Sequence, residues 1–325
     1  MRTCFGLLLA ATSLVAGCKD ITPSEPAGVQ PPPADLRPST RSGRPEPVEG
    51  RILSLTPNIT EILFAMDLGD QIVGRSNYCT YPAEAAAIPA VGDTLHLNLE
   101  KIIALRPTVA FIVTKREDLP RTLEGLGIRC VPLESDTMPE LLDSIRIIGR
   151  EARTGDAAPK GVDAGARLCA RLQGDLEAVR RRVAGLPRPR VLFAFPMTVG
   201  SAQMMVAGRG TFVDELLEVA GADNAYPDVA HWPTLSPQRA VALAPDVVLI
   251  NATGDDAAPD RLEAVRRAWA NLTSIPAVAN GRVVILTEPY LTIPGPRVGL
   301  AARRLAEVIH PEVVGGGGGE KGTPP

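Results

Sequence analysis

Five aromatic side chains lie in segments that are predicted to be loops, where rings are not needed to fill a core. They are all four tyrosines and one tryptophan: Tyr78, Tyr81, Tyr226, Tyr290 and Trp232. Aromatic residues make up only 4% of the chain. Flat amphipathic rings in loops that follow strands are typical of a cleft for a large planar ligand. The pattern favours such a cleft over five separate surface plugs.

The motifs of common catalytic chemistry are missing from the sequence. It contains no GxxxxGK[ST] phosphate loop, no GxSxG nucleophile elbow, no CxxC and no HExxH. The three histidines, His96, His231 and His310, come from separate segments and do not suit a structural zinc centre. These absences predict a binding protein rather than an enzyme, with no cofactor and no resident metal.

Composition restricts the class of protein further. The chain has 325 residues, of which 45% are hydrophobic and 22% charged, with a formal net charge of -3. These values are typical of a globular protein. No block of lysine or arginine supplies the basic surface that phosphate binding needs, so a nucleic-acid partner is not expected.

Both ends of the chain differ from the middle. Residues 1–17 have the form of an export signal, with Arg2 ahead of an apolar run. Cys18 follows two small residues, an arrangement that resembles the lipobox of bacterial lipoproteins. Residues 18–50 are rich in proline and predict a semi-stiff tether. Residues 311–325 are rich in glycine and are expected to be disordered. We therefore expect a monomeric periplasmic protein held at a membrane by acyl chains on Cys18.

The elements that must position the rings are those of an α/β fold. Short β-branched runs alternate with amphipathic stretches. The clearest helix start is Thr56, which precedes a proline and a run of apolar residues at helical spacing. Seven strands are predicted, at residues 51–55, 71–74, 109–113, 129–133, 190–195, 247–251 and 282–286.

An internal repeat predicts two similar lobes. Residues 97–112 align without gaps on residues 235–250, and each copy has the pattern of a short helix, a proline stop and a buried strand. The lobes are expected at residues 51–155 and 187–310. Between them, in segment 156–186, apolar residues on one stripe predict one long helix that limits relative motion of the lobes: Ala164, Leu168, Leu172, Leu176, Val179 and Val183.

Four stretches of this sequence resemble a known family. Residues 51–92, 97–112, 231–250 and 295–309 are similar, in order, to the periplasmic binding proteins for cobalamin and related iron chelates. The resemblance implies two Rossmann-like lobes joined by a rigid helix, the class III arrangement. It also implies capture of cobalamin or a similar chelate and its delivery to the permease of an ATP-driven (ABC) importer.

The resemblance also implies roles for individual residues. Tyr78 falls where cobalamin-binding members place a ligand-facing tyrosine, with Tyr81 in the same loop, and Trp232 falls on a ligand-stacking tryptophan. Tyr290 lies in the loop that closes the cleft from below. A further tryptophan of the family is absent before residue 97. His96 in that loop is either an axial ligand to cobalt or heme iron or a solvated residue.

Permease docking in the family uses an acidic residue on each lobe. Glu100 matches the first, whereas the second position holds Gln238, which keeps hydrogen bonding without the charge. Glu100 would also stabilise the first turn of its helix.

Other ligands stay open as alternatives. A siderophore would need cleft arginines, for which Arg75, Arg209 and Arg297 are candidates, and heme would suit the same class of transporter. A bare metal ion would need several convergent His and carboxylate ligands. Cys79 and Cys130 fall in one lobe and could pair, although isolated cysteines are the default expectation.

Overall fold

Two parallel β-sheets with the same strand order form the frame of the protein. The computed structural model describes residues 50–93, 95–113, 118–152, 160–196 and 203–311. When the strands of each sheet are numbered along the chain, both sheets have the spatial order second, first, third, fourth. In each sheet the second strand lies beside the first, and the third and fourth follow on the other side, which is the order of a doubly wound fold.

The first lobe contains the first sheet and four helices. Its strands are β1 (Ile52–Ser54), β2 (Ile72–Arg75), β3 (Val109–Ile112) and β4 (Arg129–Pro132), and all pairs are parallel. Its helices are α1 (Pro57–Ala65), α2 (Leu99–Leu105), α3 (Asp118–Gly125) and α4 (Met138–Glu151).

The second lobe repeats this plan with additions. Its sheet contains β5 (Arg190–Ala194), β7 (Asp223–Asn224), β9 (Val247–Asn251) and β10 (Val283–Leu286), all parallel. A separate antiparallel pair is formed by β6 (Met204–Met205) and β8 (Thr234–Leu235). Its helices are α6 (Phe212–Val219), α7 (Pro237–Leu243), α8 (Pro259–Ala270), α9 (Pro276–Ala279) and α10 (Val298–Ile309).

The repeated segments begin in the same way in the two lobes. The side chain of Asn98 accepts a hydrogen bond from the Lys101 N–H at 2.9 Å and caps α2. The hydroxyl of Ser236 accepts one from the Arg239 N–H at 3.3 Å and caps α7. Each side chain satisfies a backbone donor that has no partner within its helix.

They also end in the same way. Arg106 and Ala244 close α2 and α7 in the left-handed conformation, both with φ 46°. The next residue is Pro107 in one lobe and Pro245 in the other, so neither helix continues. The chain then enters β3 or β9, where every residue is buried. The repeat seen in the sequence is therefore a repeat of backbone geometry.

One helix, α5 (Lys160–Val183), connects the lobes. The predicted apolar stripe on it, from Ala164 to Val183, is buried. The stripe belongs to one hydrophobic cluster that also includes Ile62 of the first lobe and Val298 of the second. Because α5 shares a core with both lobes, it is packed on each side rather than suspended as a free linker.

Several details correct the sequence interpretation. All seven predicted strands are present with ends that differ by at most one residue, but β6, β7 and β8 were not predicted. They are only two residues long, which is too short for a periodic pattern. Thr56 does begin α1, yet its hydroxyl makes no cap bond and donates instead to Asn58 Oδ1 at 2.6 Å.

The cysteines of the described segments are free. Cys79 and Cys169 are buried, and Cys130 is half-buried. Burial raises the pKa of the Cys130 thiol to about 11, so it stays protonated at neutral pH. The expectation of isolated cysteines is confirmed.

The terminal predictions fall outside what the structure describes. The export signal, Cys18, the proline-rich tether and the end of the chain beyond residue 311 belong to that part. Among the described helices, none is both long and apolar enough to cross a membrane.

Candidate ligand-binding site

Aromatic side chains follow the carboxyl ends of strands in both lobes. Tyr78 and Tyr81 come after β2, Phe195 comes directly after β5, and Tyr290 comes after β10. In an open parallel sheet this edge is where ligands bind. The two lobes therefore present aromatic side chains from corresponding ends of their sheets.

Tyr78 stands out from a tightly held loop. Its backbone N–H donates to the Ser76 hydroxyl at 3.3 Å, and the Ser76 N–H donates to the Ser54 carbonyl at 3.1 Å. The next residue, Cys79, is fully buried, and its thiol lies 3.3 Å from the Ser76 hydroxyl. Tyr78 itself is 66% exposed. The backbone is thus fixed while the ring is free to contact a ligand.

Tyr81 meets the second lobe through an arginine. The guanidinium of Arg297 lies 4.0 Å from the centre of the Tyr81 ring and 5.4 Å from that of Tyr290. Both distances are within the range of cation–π attraction. Two tyrosines from different lobes, both predicted as ligand residues, are therefore brought together at one cation.

Arg297 is held in turn by a carboxylate of the first lobe. Its Nε donates to Glu61 Oε2 at 2.9 Å and its Nη2 donates to Glu61 Oε1 at 2.6 Å. The Glu61 side chain is only 2% exposed. Burial raises the pKa of Glu61, and the hydrogen bonds and charge of Arg297 oppose that rise. The pair is a bidentate contact between the lobes.

Tyr290 lies on a short 3-10 turn anchored to the end of β9. The Asn251 side chain donates to the Glu288 carbonyl at 3.2 Å, and the Thr292 hydroxyl donates to Asn251 Oδ1 at 3.4 Å. Burial, and then the nearby Glu288 carboxylate, raise the pKa of Tyr290. Its phenol is therefore protonated at neutral pH and can donate a hydrogen bond.

Trp232 packs against other rings of the second lobe. It is partly buried and meets Phe195 edge to face, with ring centres 5.6 Å apart, and Phe212 at 6.4 Å. Phe195 follows β5, so Trp232 is at the carboxyl end of that sheet. The sequence interpretation did not identify Phe195, because a phenylalanine at a strand end has the pattern of a core residue.

Two predicted loop residues are placed differently from the others. Tyr226 is buried in the second-lobe core, so the expectation that it faces a cleft is wrong. The His96 side chain is 84% exposed, and its Nδ1 lies 3.5 Å from Asp93 Oδ1. The His96 and Leu95 N–H groups donate to Asp93 and lower the pKa of that carboxyl. Within the described segments no group of three or more metal-ligating side chains surrounds it.

Two of the three candidate cleft arginines are already engaged. Arg75 donates to the carbonyls of Ala85 and Ser76, at 2.7 and 3.0 Å, and so fastens the loop after Tyr81. Arg297 is bound to Glu61 as described above. Arg209 is exposed, and its side chain donates no hydrogen bond to the described residues.

A cavity of about 610 Å³ opens beside the Arg297 contact. Its walls come from α1, the loop after β2, α5 and the start of α10, and they include Tyr81, Glu84, Arg171 and Asp175. The lining is charged and does not include Tyr78, Trp232 or Tyr290. The structure thus joins Tyr81 to Tyr290 through Arg297, but Tyr78 and Trp232 lie elsewhere along the strand ends.

Comparison with known proteins gives the family. A family model described as periplasmic binding protein matches residues 52–290. The chain belongs to the periplasmic binding protein family. It is 28% identical over 267 residues to the uncharacterized ABC transporter substrate-binding lipoprotein YvrC of Bacillus subtilis strain 168, covering 81% of this chain and 80% of that one. It is 26% identical over 264 residues to the vitamin B12-binding protein of Pectobacterium carotovorum strain PC1, covering 80% and 88%.

A solved structure agrees with this periplasmic binding protein fold. The apo form of the periplasmic heme-binding protein RhuT from Roseiflexus sp. RS-1 superposes with a TM-score of 0.69 at 26% identity, covering 81% of this chain and 98% of that one. The class III arrangement is therefore confirmed. The protein is therefore a non-enzymatic substrate-binding protein of the ABC-importer type.

The predicted docking residues occupy equivalent surface positions of this periplasmic binding protein. Glu100 and Gln238 are each the second residue of their helices, α2 and α7, and both are exposed. Leu99 and Ile103 of the same helix are also exposed, as is Lys101, so Glu100 lies on a mixed apolar and charged surface. The roles of both residues in docking stay predictions.

The contact between Glu61 and Arg297 was missed by sequence reasoning. The two residues are 236 positions apart, and Arg297 was considered only as a candidate for an anionic ligand. Helical spacing places Glu61 opposite the apolar stripe of α1, where an exposed carboxylate is expected, so no sequence signal indicated its burial.

Proposed function

We propose that the cleft between the lobes captures cobalamin or a related corrinoid and delivers it to the permease of the importer. The proposal depends on the aromatic side chains at the strand ends, of which the exposed, firmly held Tyr78 is the main one. A flat ring with a polar tip suits the face and the amide-bearing rim of a corrin. The vitamin B12-binding relative supports this choice.

The arginines favour a neutral macrocycle over an anionic chelate. A siderophore or a heme propionate needs free cationic donors. Arg75 and Arg297 use their guanidinium groups on carbonyls and on Glu61, which leaves Arg209 of the three candidates. A corrinoid makes no such demand.

Heme is the second candidate. The structural similarity to RhuT supports it. The Tyr78 phenol oxygen and a His96 ring nitrogen are also accessible, and either could serve as an axial ligand to the iron. A ferric siderophore is the weaker alternative because of the engaged arginines.

We also propose that Cys18 is acylated and anchors the protein, as a monomer, at a membrane facing the periplasm. The similarity to a lipoprotein, YvrC, supports the anchor. Metabolic labelling with a fatty-acid analogue tests it, since Cys18→Ser should abolish incorporation.

Ligand spectra test the main proposal. The protein purified in detergent is mixed with hydroxocobalamin, hemin or a ferric siderophore, and the visible spectrum and the heat of binding are recorded. Tight binding of hydroxocobalamin, weaker binding of hemin and recovery of the ligand unchanged are expected. Tight binding of hemin alone would transfer the assignment to heme. Binding of the siderophore alone would contradict the argument from the arginines.

A further inference from the structure

We propose that Arg297 is a positioning residue of the cleft, which fixes Tyr81 of the first lobe and Tyr290 of the second relative to each other. The inference rests on the proposed function only in treating these tyrosines as ligand residues. Arg297 lies between the two rings, at 4.0 Å from one and 5.4 Å from the other. No other described cation lies within such distances of rings from both lobes.

The Glu61 carboxylate fixes the position of the Arg297 guanidinium. Both bonds to Glu61 run from the planar fork to the two carboxylate oxygens, so the plane of the cation has one orientation. Arg297 is also the N-terminal flanking residue of α10, and its carbonyl accepts from the Ala301 N–H at 2.9 Å. A rigid cation presents a fixed surface to each ring.

The ring of Tyr81 has few other supports. It is 49% exposed, and its loop is held by the Arg75 guanidinium, which donates to the Ala85 carbonyl, rather than by packing of the ring. The stack on Arg297 is therefore the contact that decides where the ring lies. Tyr290 is half-buried on an anchored turn and depends on Arg297 less.

A second contact between the lobes provides a matched control. The Glu215 carboxylate of α6 accepts a hydrogen bond from the Met138 N–H at the start of α4. The two contacts are equivalent in position. In each, a glutamate on the first helix of one lobe, α1 or α6, bonds to the start of the last helix of the other lobe, α10 or α4. No aromatic ring takes part in the Glu215 contact among the described residues. Its removal loosens the lobes without touching the tyrosines.

Fluorine NMR of the protein labelled with 3-fluorotyrosine tests the proposal. The chain has four tyrosines, so four resonances are expected, and single Tyr→Phe variants assign them. Arg297→Gln should shift or broaden the Tyr81 and Tyr290 signals and leave those of Tyr78 and Tyr226 in place. Glu215→Ala should move neither Tyr81 nor Tyr290. Unchanged Tyr81 and Tyr290 signals in Arg297→Gln would overturn the proposal.

Two less disruptive variants test the proposal if Arg297→Gln does not fold. Arg297→Lys keeps the charge but loses the planar fork, and it should shift both signals to a smaller extent. Tyr81→Ala removes a largely exposed ring and should shift the Tyr290 signal through the freed cation, whereas Tyr78→Ala in the same loop should not. A Tyr290 signal that ignores the loss of Tyr81 contradicts the coupling.

Ligand titration separates this inference from the proposed function. Arg297→Lys should weaken hydroxocobalamin binding about tenfold, because the rings are no longer held in the binding geometry, and Glu215→Ala should change it less than about twofold. If neither hydroxocobalamin nor hemin binds the unaltered protein, the proposed function fails while the NMR result still decides the role of Arg297. If the ligand binds equally well to Arg297→Lys, the positioning role is contradicted.

Discussion

The two lobes are alike in the hydrogen bonds that hold the repeated helix and differ in the loops at the strand ends. In the first lobe the Arg51 Nη2 donates to the Leu105 carbonyl at the end of α2, at 2.6 Å. In the second lobe the Arg190 Nη1 donates to the Leu243 carbonyl at the end of α7, also at 2.6 Å. In each case an arginine at the start of the first strand fastens the repeated helix, so the repeat extends to individual hydrogen bonds.

The loops at the strand ends have diverged. Tyr78 and Tyr81 of the first lobe are largely exposed, whereas Trp232 of the second is packed against Phe195 and Tyr226 is buried in the core. The exposed rings of the first lobe therefore contribute little to folding stability, whereas the packed rings of the second lobe stabilise the fold. The scaffold is therefore alike in the two lobes, while the aromatic side chains at the strand ends differ in their burial.

The largest expected effect concerns the two contacts that join the lobes. Arg297→Met should lower the free energy of unfolding by about 3 kcal/mol at neutral pH, because it leaves Glu61 buried without a partner. Glu215→Ala should cost only about 1 kcal/mol, because a single backbone donor loses its partner and water can reach it. Urea denaturation measures both, and equal losses would show that the two contacts are equivalent.

The loss in Arg297→Met should depend on pH. Without the arginine, burial raises the pKa of Glu61 still further above its value in the unfolded chain. The folded state then binds more protons than the unfolded state, so stability is greatest at low pH and falls as the pH rises through the folded pKa. The deficit relative to the unaltered protein should be small near pH 4 and full at neutral pH. A deficit that is constant with pH would contradict this.

The rings of the two lobes should respond differently to truncation. Trp232→Ala should cost about 1 to 3 kcal/mol of binding to hydroxocobalamin and should also lower stability, since the ring contacts Phe195 and Phe212. Tyr78→Ala should weaken binding with almost no loss of stability, because the ring is 66% exposed. Calorimetry and thermal unfolding of the same samples separate the two effects. Trp232→Phe is the control, and it should recover most of the stability.

The repeated arginines should be equivalent. Arg51→Met and Arg190→Met each keep the aliphatic stem and remove charge-assisted bonds to carbonyls. Each should lower the unfolding free energy by about 1 to 2 kcal/mol, since these bonds are partly buried. Chemical denaturation of the two variants gives the comparison. Clearly unequal losses would mean that the repeat is one of shape without matching energies.

The smallest effect is expected at the docking surface. Glu100→Gln should slow association with the cognate transporter and flatten its salt dependence, with ligand affinity unchanged, because an exposed charge acts mainly on the association rate. Gln238→Glu should do little harm, or should speed association where the permease has a basic partner. Association kinetics on the reconstituted transporter at two ionic strengths measure both. Unaltered docking of Glu100→Gln at both would remove this residue from the interface.

The sequence was sufficient for the scaffold and only partly sufficient for the site. Strands such as Val247–Asn251 and the stripe on α5 were predictable because burial imposes a period on the sequence. Tyr226 was misassigned because loop position does not reveal whether a ring turns inward. The pairing of Glu61 with Arg297 depends on how two lobes meet, and no local pattern encodes a contact across 236 positions.

The stripe on α5 also has a consequence for how the chain acquires its structure. The apolar side chains from Ala164 to Val183 complete one core that both lobes share. The first lobe therefore lacks part of its interior until α5 has been synthesised, and α5 gains its full burial only when the second lobe packs on it. The two halves depend on each other, so we expect one cooperative unfolding transition by calorimetry instead of two. A duplicated fold has in this way become a single folding unit.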